Sequence, residues 1–106
     1  MKSKIKTLLI VGSLACFGRM AFAGDTAEIW NKNCASCHAK DGTGNTTMGK
    51  KAGAEDYTDS KVQAKFTDAE AVKIIQEGKK KMKAFKDKLT DDEIKALVAY
   101  IRAFKK

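Results

Sequence analysis

Cys34-Ala35-Ser36-Cys37-His38 sets two thiols one helical turn apart and an imidazole directly after the second. Thiols at that spacing can each add to a vinyl group of one haem, and the adjoining imidazole then lies beneath the iron. The pattern therefore signals covalent c-type haem attachment, with His38 as the proximal iron ligand. A second ring nitrogen on that histidine needs an acceptor to fix the ring, which the sequence places in the loop 41–49. Other chemistries fit less well. A Cys34–Cys37 disulfide closes too short a loop to stabilise much, and it leaves His38 unexplained. A zinc site needs four ligands, and beyond this motif the chain has only Cys16, with no second histidine. A thioredoxin-like pair needs a preceding strand, which the residues before Cys34 do not resemble.

A haem iron also takes a ligand on its other face, and Met48 and Met82 are the candidates. Met48 follows His38 by ten residues, on the loop expected to support the proximal side. Met82 lies 44 residues beyond His38, where the chain can return over the opposite face. A thioether is a neutral, soft ligand suited to iron in both oxidation states, so Met82 is favoured over Met48 or an open position. His/Met ligation raises the reduction potential.

The elements that must position these groups are helical. Asp25-Thr26-Ala27-Glu28, Thr67-Asp68-Ala69-Glu70 and Thr90-Asp91-Asp92-Glu93 each put a short oxygen-bearing side chain three residues before a Glu, the spacing of a capping box. They predict helices over about 26–34, over 68–77 with Val72 and Ile75 inward and Gly78 as its stop, and from about 91 onward. In the last, Ile94, Leu97, Val98, Ile101 and Phe104 form one apolar stripe. A short fourth helix is expected at 60–66, anchored by Tyr57, Val62 and Phe66. The Gly/Thr/Lys-rich stretch 41–53 and the Lys-rich stretch 79–89 are expected loops, and no stretch alternates as a strand does. The fold class is all-α, three to four helices with long loops wrapped around one covalent haem.

Lys2, Lys4, Lys6 and Arg19 lie in or beside the apolar run 8–17, and Ala21-Phe22-Ala23 has the small-x-small pattern of a signal peptidase site. Residues 1–23 are expected to be a cleaved export signal and 24–106 the haem domain, in the periplasm without a stable membrane anchor. The apolar run is about half of the ~20 residues that a span requires. Cys16 suggests lipidation, but Ser13 stands where a lipoprotein signal has an aliphatic residue. The formal charge of +8 includes those four leader cations, so +4 remains without them. So short a chain excludes multidomain enzymes, and a covalent cofactor supplies the core that 83 residues lack.

With Lys40-Asp41-Gly42-Thr43-Gly44 after the C-x-x-C-H, Met82-Lys83-Ala84-Phe85 downstream and a closing amphipathic helix, the chain resembles a small bacterial class I cytochrome c, of the c551/c552 or c6-like kind. The resemblance implies a fold in which the first and last helices cross beside the haem. Trp30 then stands at the crossing and faces Leu97 and Tyr100, while Trp30, Phe85 and Leu97 join Cys34, Cys37, His38 and Met82 as haem-binding residues. It also implies a one-electron carrier between redox partners. The chain has no proline, where the family carries one beside the distal Met and one after the His, so the acceptor for His38 is expected in 45–47. Lys79, Lys80, Lys81, Lys83 and Lys86, together with Lys88, surround Met82 and would attract an acidic-surfaced partner protein. Nucleic acid is not an expected partner, since export separates the chain from it and no aromatics interleave the lysines. The carrier is expected to be monomeric and not an enzyme, because no second histidine and no Ser/His/Asp set exists for acid–base work. The alternatives are a haem-based ligand sensor or weak peroxidase with a displaceable sixth ligand, and a relay subunit of a larger oxidoreductase.

Overall fold

A computed structural model describes the backbone from Phe17 to Lys106 and the side chains from Asp25 onward. Residues 1–16, with most of the expected leader and Cys16, lie outside the described residues. Six helices follow in order among those described: α1 (Phe17–Asn33), α2 (Ala35–His38), α3 (Thr47–Ala52), α4 (Ser60–Gln63), α5 (Asp68–Glu77) and α6 (Asp91–Arg102). They contain no strand, and an isolated bridge pairs Lys79 with Met82. No described helix is long and apolar enough to cross a membrane.

Two of the three expected capping boxes form. Thr67 accepts from the Glu70 N–H while its own N–H donates to the Glu70 carboxylate, and Thr90 and Glu93 repeat the arrangement. The third does not open a helix, because α1 begins at Phe17 and runs through Asp25-Thr26-Ala27-Glu28 without interruption. Its backbone N–H groups in that stretch already have partners one turn earlier, so nothing there needs a cap.

Helix α3 is the element that composition concealed. It lies in a segment of Gly, Thr and Lys with no apolar stripe, and its one buried residue is Gly49. What starts it is Thr46, whose hydroxyl accepts from the Gly49 N–H at 2.8 Å. The short helix α4 ends at Gln63, three residues before the expected Phe66, and is capped by Asp59.

The core forms where α6 meets α1 and α5. Ile94, Leu97, Val98 and Ile101 are buried along the expected stripe, with Phe104 partly buried just beyond the helix end. Each such side chain contributes about 1.5–3 kcal/mol by leaving water. From α5 the buried residues are Ala71 and Ile75, with Val72 partly buried against them. At the crossing of the terminal helices, Trp30 packs against Tyr100 and Phe104 with ring centroids 5.6 and 5.1 Å apart.

A polar latch closes the side of the bundle nearest α4. The buried Gln63 amide donates to the carbonyls of Tyr57 and Ile101, and Arg102 donates to the Gln63 and Phe66 carbonyls and to Asp68. The guanidinium also lies 4.3 Å over the Phe66 ring. Every polar atom of this buried amide has a partner, which makes it a register lock for the last helix.

Candidate haem site

The turn after His38 is where the backbone works hardest. Helix α2 carries Cys37 and His38, and the chain reverses at Ala39, a non-glycine residue at φ 68°. Such a conformation costs on the order of 1–3 kcal/mol and persists only where its surroundings enforce it. Here the Ala39 carbonyl accepts from the Trp30 indole at 3.0 Å and from the Gly42 N–H at 3.2 Å, while its N–H donates to Ala35 at 2.8 Å. Beyond the turn, the Thr46 hydroxyl donates to the Cys37 carbonyl at 3.0 Å and the Gly44 N–H donates to the His38 carbonyl at 2.9 Å. Gly49 abuts the Cys37 carbonyl so closely that any Cβ there would collide with it.

On the other side, α5 stops at Gly78, whose φ of 80° turns the chain into the loop 79–89. Lys79 and Met82 exchange two backbone hydrogen bonds at 3.1 and 2.9 Å, closing a tight turn with Lys80 at φ 53°. The Phe85 and Lys86 N–H groups then bind back to the Ile75 and Gln76 carbonyls of α5. These bonds stiffen the loop in the absence of proline.

Between the two sides lies a partly open, mostly apolar cavity. Trp30, Cys34, His38, Met82, Phe85 and Leu97 all line it. Cys37 does not line it and is half-buried alongside. Met48 lies outside the lining and is 58 % exposed. Residues that sequence reasoning did not connect to the site complete the wall: Tyr57, Phe66, Ile74, Leu89 and Ile101, with Ala71 and Ile75. Tyr57 and Phe66 stood out as apolar anchors of a short helix, but their meeting with the cavity depends on how that helix folds back.

Burial pushes the Cys34 thiol up to about 11, so it stays protonated and neutral in the apolar wall. Burial also lowers the His38 pKa, favouring the neutral imidazole that a metal requires. The expected acceptor for the second His38 nitrogen is not found in 41–49: Nδ1 is buried without a hydrogen-bond partner. The loop instead donates to the Cys37 and His38 carbonyls and brings none of its own carbonyls to the ring. The imidazole is flanked by rings, stacked on Tyr57 at 5.3 Å and tilted against Trp30 at 5.7 Å.

These residues fit a haem. The wall is apolar, both cysteines are free thiols, and the His38 imidazole and the Met82 thioether line the same space. No group of three or more His, Cys, Asp or Glu that could hold a bare metal ion occurs among the described residues. Residues 21–101 match the family described as "Cytochrome C oxidase, cbb3-type, subunit III", a family of cytochrome c domains. The chain belongs to the class I monohaem cytochromes c.

Relatives of this cytochrome agree. It is 31 % identical over 75 residues to cytochrome c6 of Synechococcus elongatus, covering 71 % of this chain and 82 % of the relative. To cytochrome c6 of Pyropia yezoensis it is 32 % identical over 107 residues, covering 95 % and 93 %. Among solved structures, the KustC0563 c-type cytochrome superposes with a TM-score of 0.72 at 39 % identity, covering 76 % of this chain and 98 % of that one. The cytochrome carries one covalently bound haem c and is an electron carrier.

Proposed function

We propose that this cytochrome is a periplasmic one-electron shuttle in which Cys34 and Cys37 form the thioethers, His38 is the proximal ligand and Met82 the distal one. The observation that carries this reading is that His38 and Met82, far apart in the chain, line one apolar cavity with Cys34, whereas Met48 does not. When bound, the haem supplies a one-electron couple. The protein's part is to present a neutral imidazole and a neutral thioether, to keep water from the site with Trp30, Phe85 and Leu97, and to hold both loops still so that little reorganises between oxidation states.

The tied-back Met82 turn favours a permanent sixth ligand over the sensor or peroxidase alternative. The shuttle reading needs no acid–base group at the cavity, and the sequence has no histidine besides His38 to supply one. Lys79, Lys80, Lys81, Lys83 and Lys86 are all exposed around Met82 and steer an acidic partner. Phe85 turns inward among them and leaves no aromatic for stacking a nucleic acid base. Cleavage after Ala23 removes the leader, and the new start of α1 then falls at Asp25-Thr26-Ala27-Glu28, where the capping box can act.

The test is the ferric spectrum. Met82→Ala is expected to abolish the red charge-transfer band of an Fe–S(Met) bond and to open the ferrous protein to carbon monoxide, while Met48→Ala leaves both as in the parent. The reverse pattern overturns the ligand assignment.

A further inference from the structure

Resting on the proposed shuttle function, we propose that α3 is the second half of the partner-docking face, with Met48 as its apolar contact and Lys50 and Lys51 as charges beside those of the Met82 turn. The partner is an acidic redox protein with a small apolar patch at its own electron port.

Three observations converge on this face. Met48 is the exposed large hydrophobic residue among the described residues, at 58 %. A single exposed apolar side chain is ordinary on a protein surface, so its position is what matters. The neighbouring Gly49 abuts the Cys37 carbonyl, and Thr46, which caps α3, donates to that same carbonyl at 3.0 Å. Met48 therefore stands beside the residues that pack on Cys37, the attachment cysteine outside the cavity lining.

Lys81 then joins the two halves. Its ammonium reaches the Lys51 carbonyl at 3.5 Å, so the Met82 turn and the end of α3 lie side by side although thirty residues separate them. Over 42–54 and 78–86 the sequence carries Lys50, Lys51, Lys79, Lys80, Lys81, Lys83 and Lys86 and no carboxylate. A field of one sign pulls an acidic partner in fast and from a distance. The apolar side chain serves the last step, when contact must exclude water without gripping for long.

The mature holoprotein, adsorbed on gold bearing a mixed monolayer of carboxylate-terminated and methyl-terminated alkanethiols, tests this by interfacial electron-transfer rate. Reversing both charges, Lys50→Glu with Lys51→Glu, should slow transfer by about tenfold at low salt, a difference that closes as salt rises. Met48→Ser should slow it several-fold at every salt concentration with the midpoint potential unchanged, and Met48→Leu should restore the parental rate. Lys95→Glu on α6 is the control for simple loss of charge and should leave the rate nearly unchanged. If the Lys50/Lys51 pair behaves like that control while Lys79→Glu with Lys80→Glu slows transfer, α3 is not part of the face and the lysines around Met82 act alone. If neither pair matters, charge-steered docking itself fails. A Met48→Ser rate equal to the parent's removes the apolar contact.

Discussion

On one side of the cavity Cys34, Cys37 and His38 fall within five consecutive residues, and their main chain is pinned by Trp30, Gly44 and Thr46, all within ten residues of the histidine. On the other side Met82 sits in a turn of four residues whose anchor is the carbonyl edge of α5, itself held against α6. The proximal side is local chemistry made rigid by nearby contacts. The distal side is a single side chain delivered by the tertiary fold. A defect in the first should abolish cofactor attachment, whereas a defect in the second should leave the cofactor attached and its sixth ligand loosened.

The largest effect is expected from the thiols. Cys34→Ala or Cys37→Ala should yield a chain with incomplete or unstable haem attachment, read by haem staining of the denatured protein. Normal folding of either variant without haem would remove the cofactor from its place as the core. Met82→Ala should retain fully attached haem while losing its sixth ligand, so the two variants separate the two sides directly.

The glycines extend the comparison. Gly49→Ala forces a Cβ onto the Cys37 and Gly44 carbonyls and should cost about 3 kcal/mol in denaturant unfolding, with the Met-ligand band retained. Gly78→Ala meets both a φ of 80° and the Met82 carbonyl 2.7 Å from its Cβ. It should cost about 2 kcal/mol and weaken the band, because the strain falls on the Met82 turn. Equal effects of the two on the band would contradict the division into sides. The smallest effect belongs to Thr90→Ala. Losing that cap should destabilise α6 by about 1 kcal/mol and leave the spectrum untouched.

Much of this is legible in the sequence. The boxes at Thr67 and Thr90 are short-range patterns whose donors and acceptors lie within one turn, and they start helices where the spacing says they should. The stripe on α6 is likewise a repeat that any apolar partner will bury. Asp25-Thr26-Ala27-Glu28 carries the same pattern but starts no helix, since α1 already runs through it and a cap acts only where the helix has no earlier turn. α3 was hidden because its stability comes from Thr46 and from Gly49 packing on a carbonyl, neither of which leaves a periodic trace. The missing acceptor for the His38 ring escaped notice for a related reason. Which carbonyl faces a ring depends on where the loop's hydrogen bonds go, and those bonds went to the main chain of Cys37 and His38.

By itself the sequence determined the haem-attachment motif, the helical class and the two best-capped helices, because thiol spacing, apolar period and capping are set over distances of a few residues. Tertiary structure alone decided which methionine meets the cavity, that Tyr57 and Phe66 help to wall it, and that the Lys81 side chain reaches the Lys51 carbonyl. Those facts depend on how segments far apart in the chain pack, and side-chain type carries no record of that.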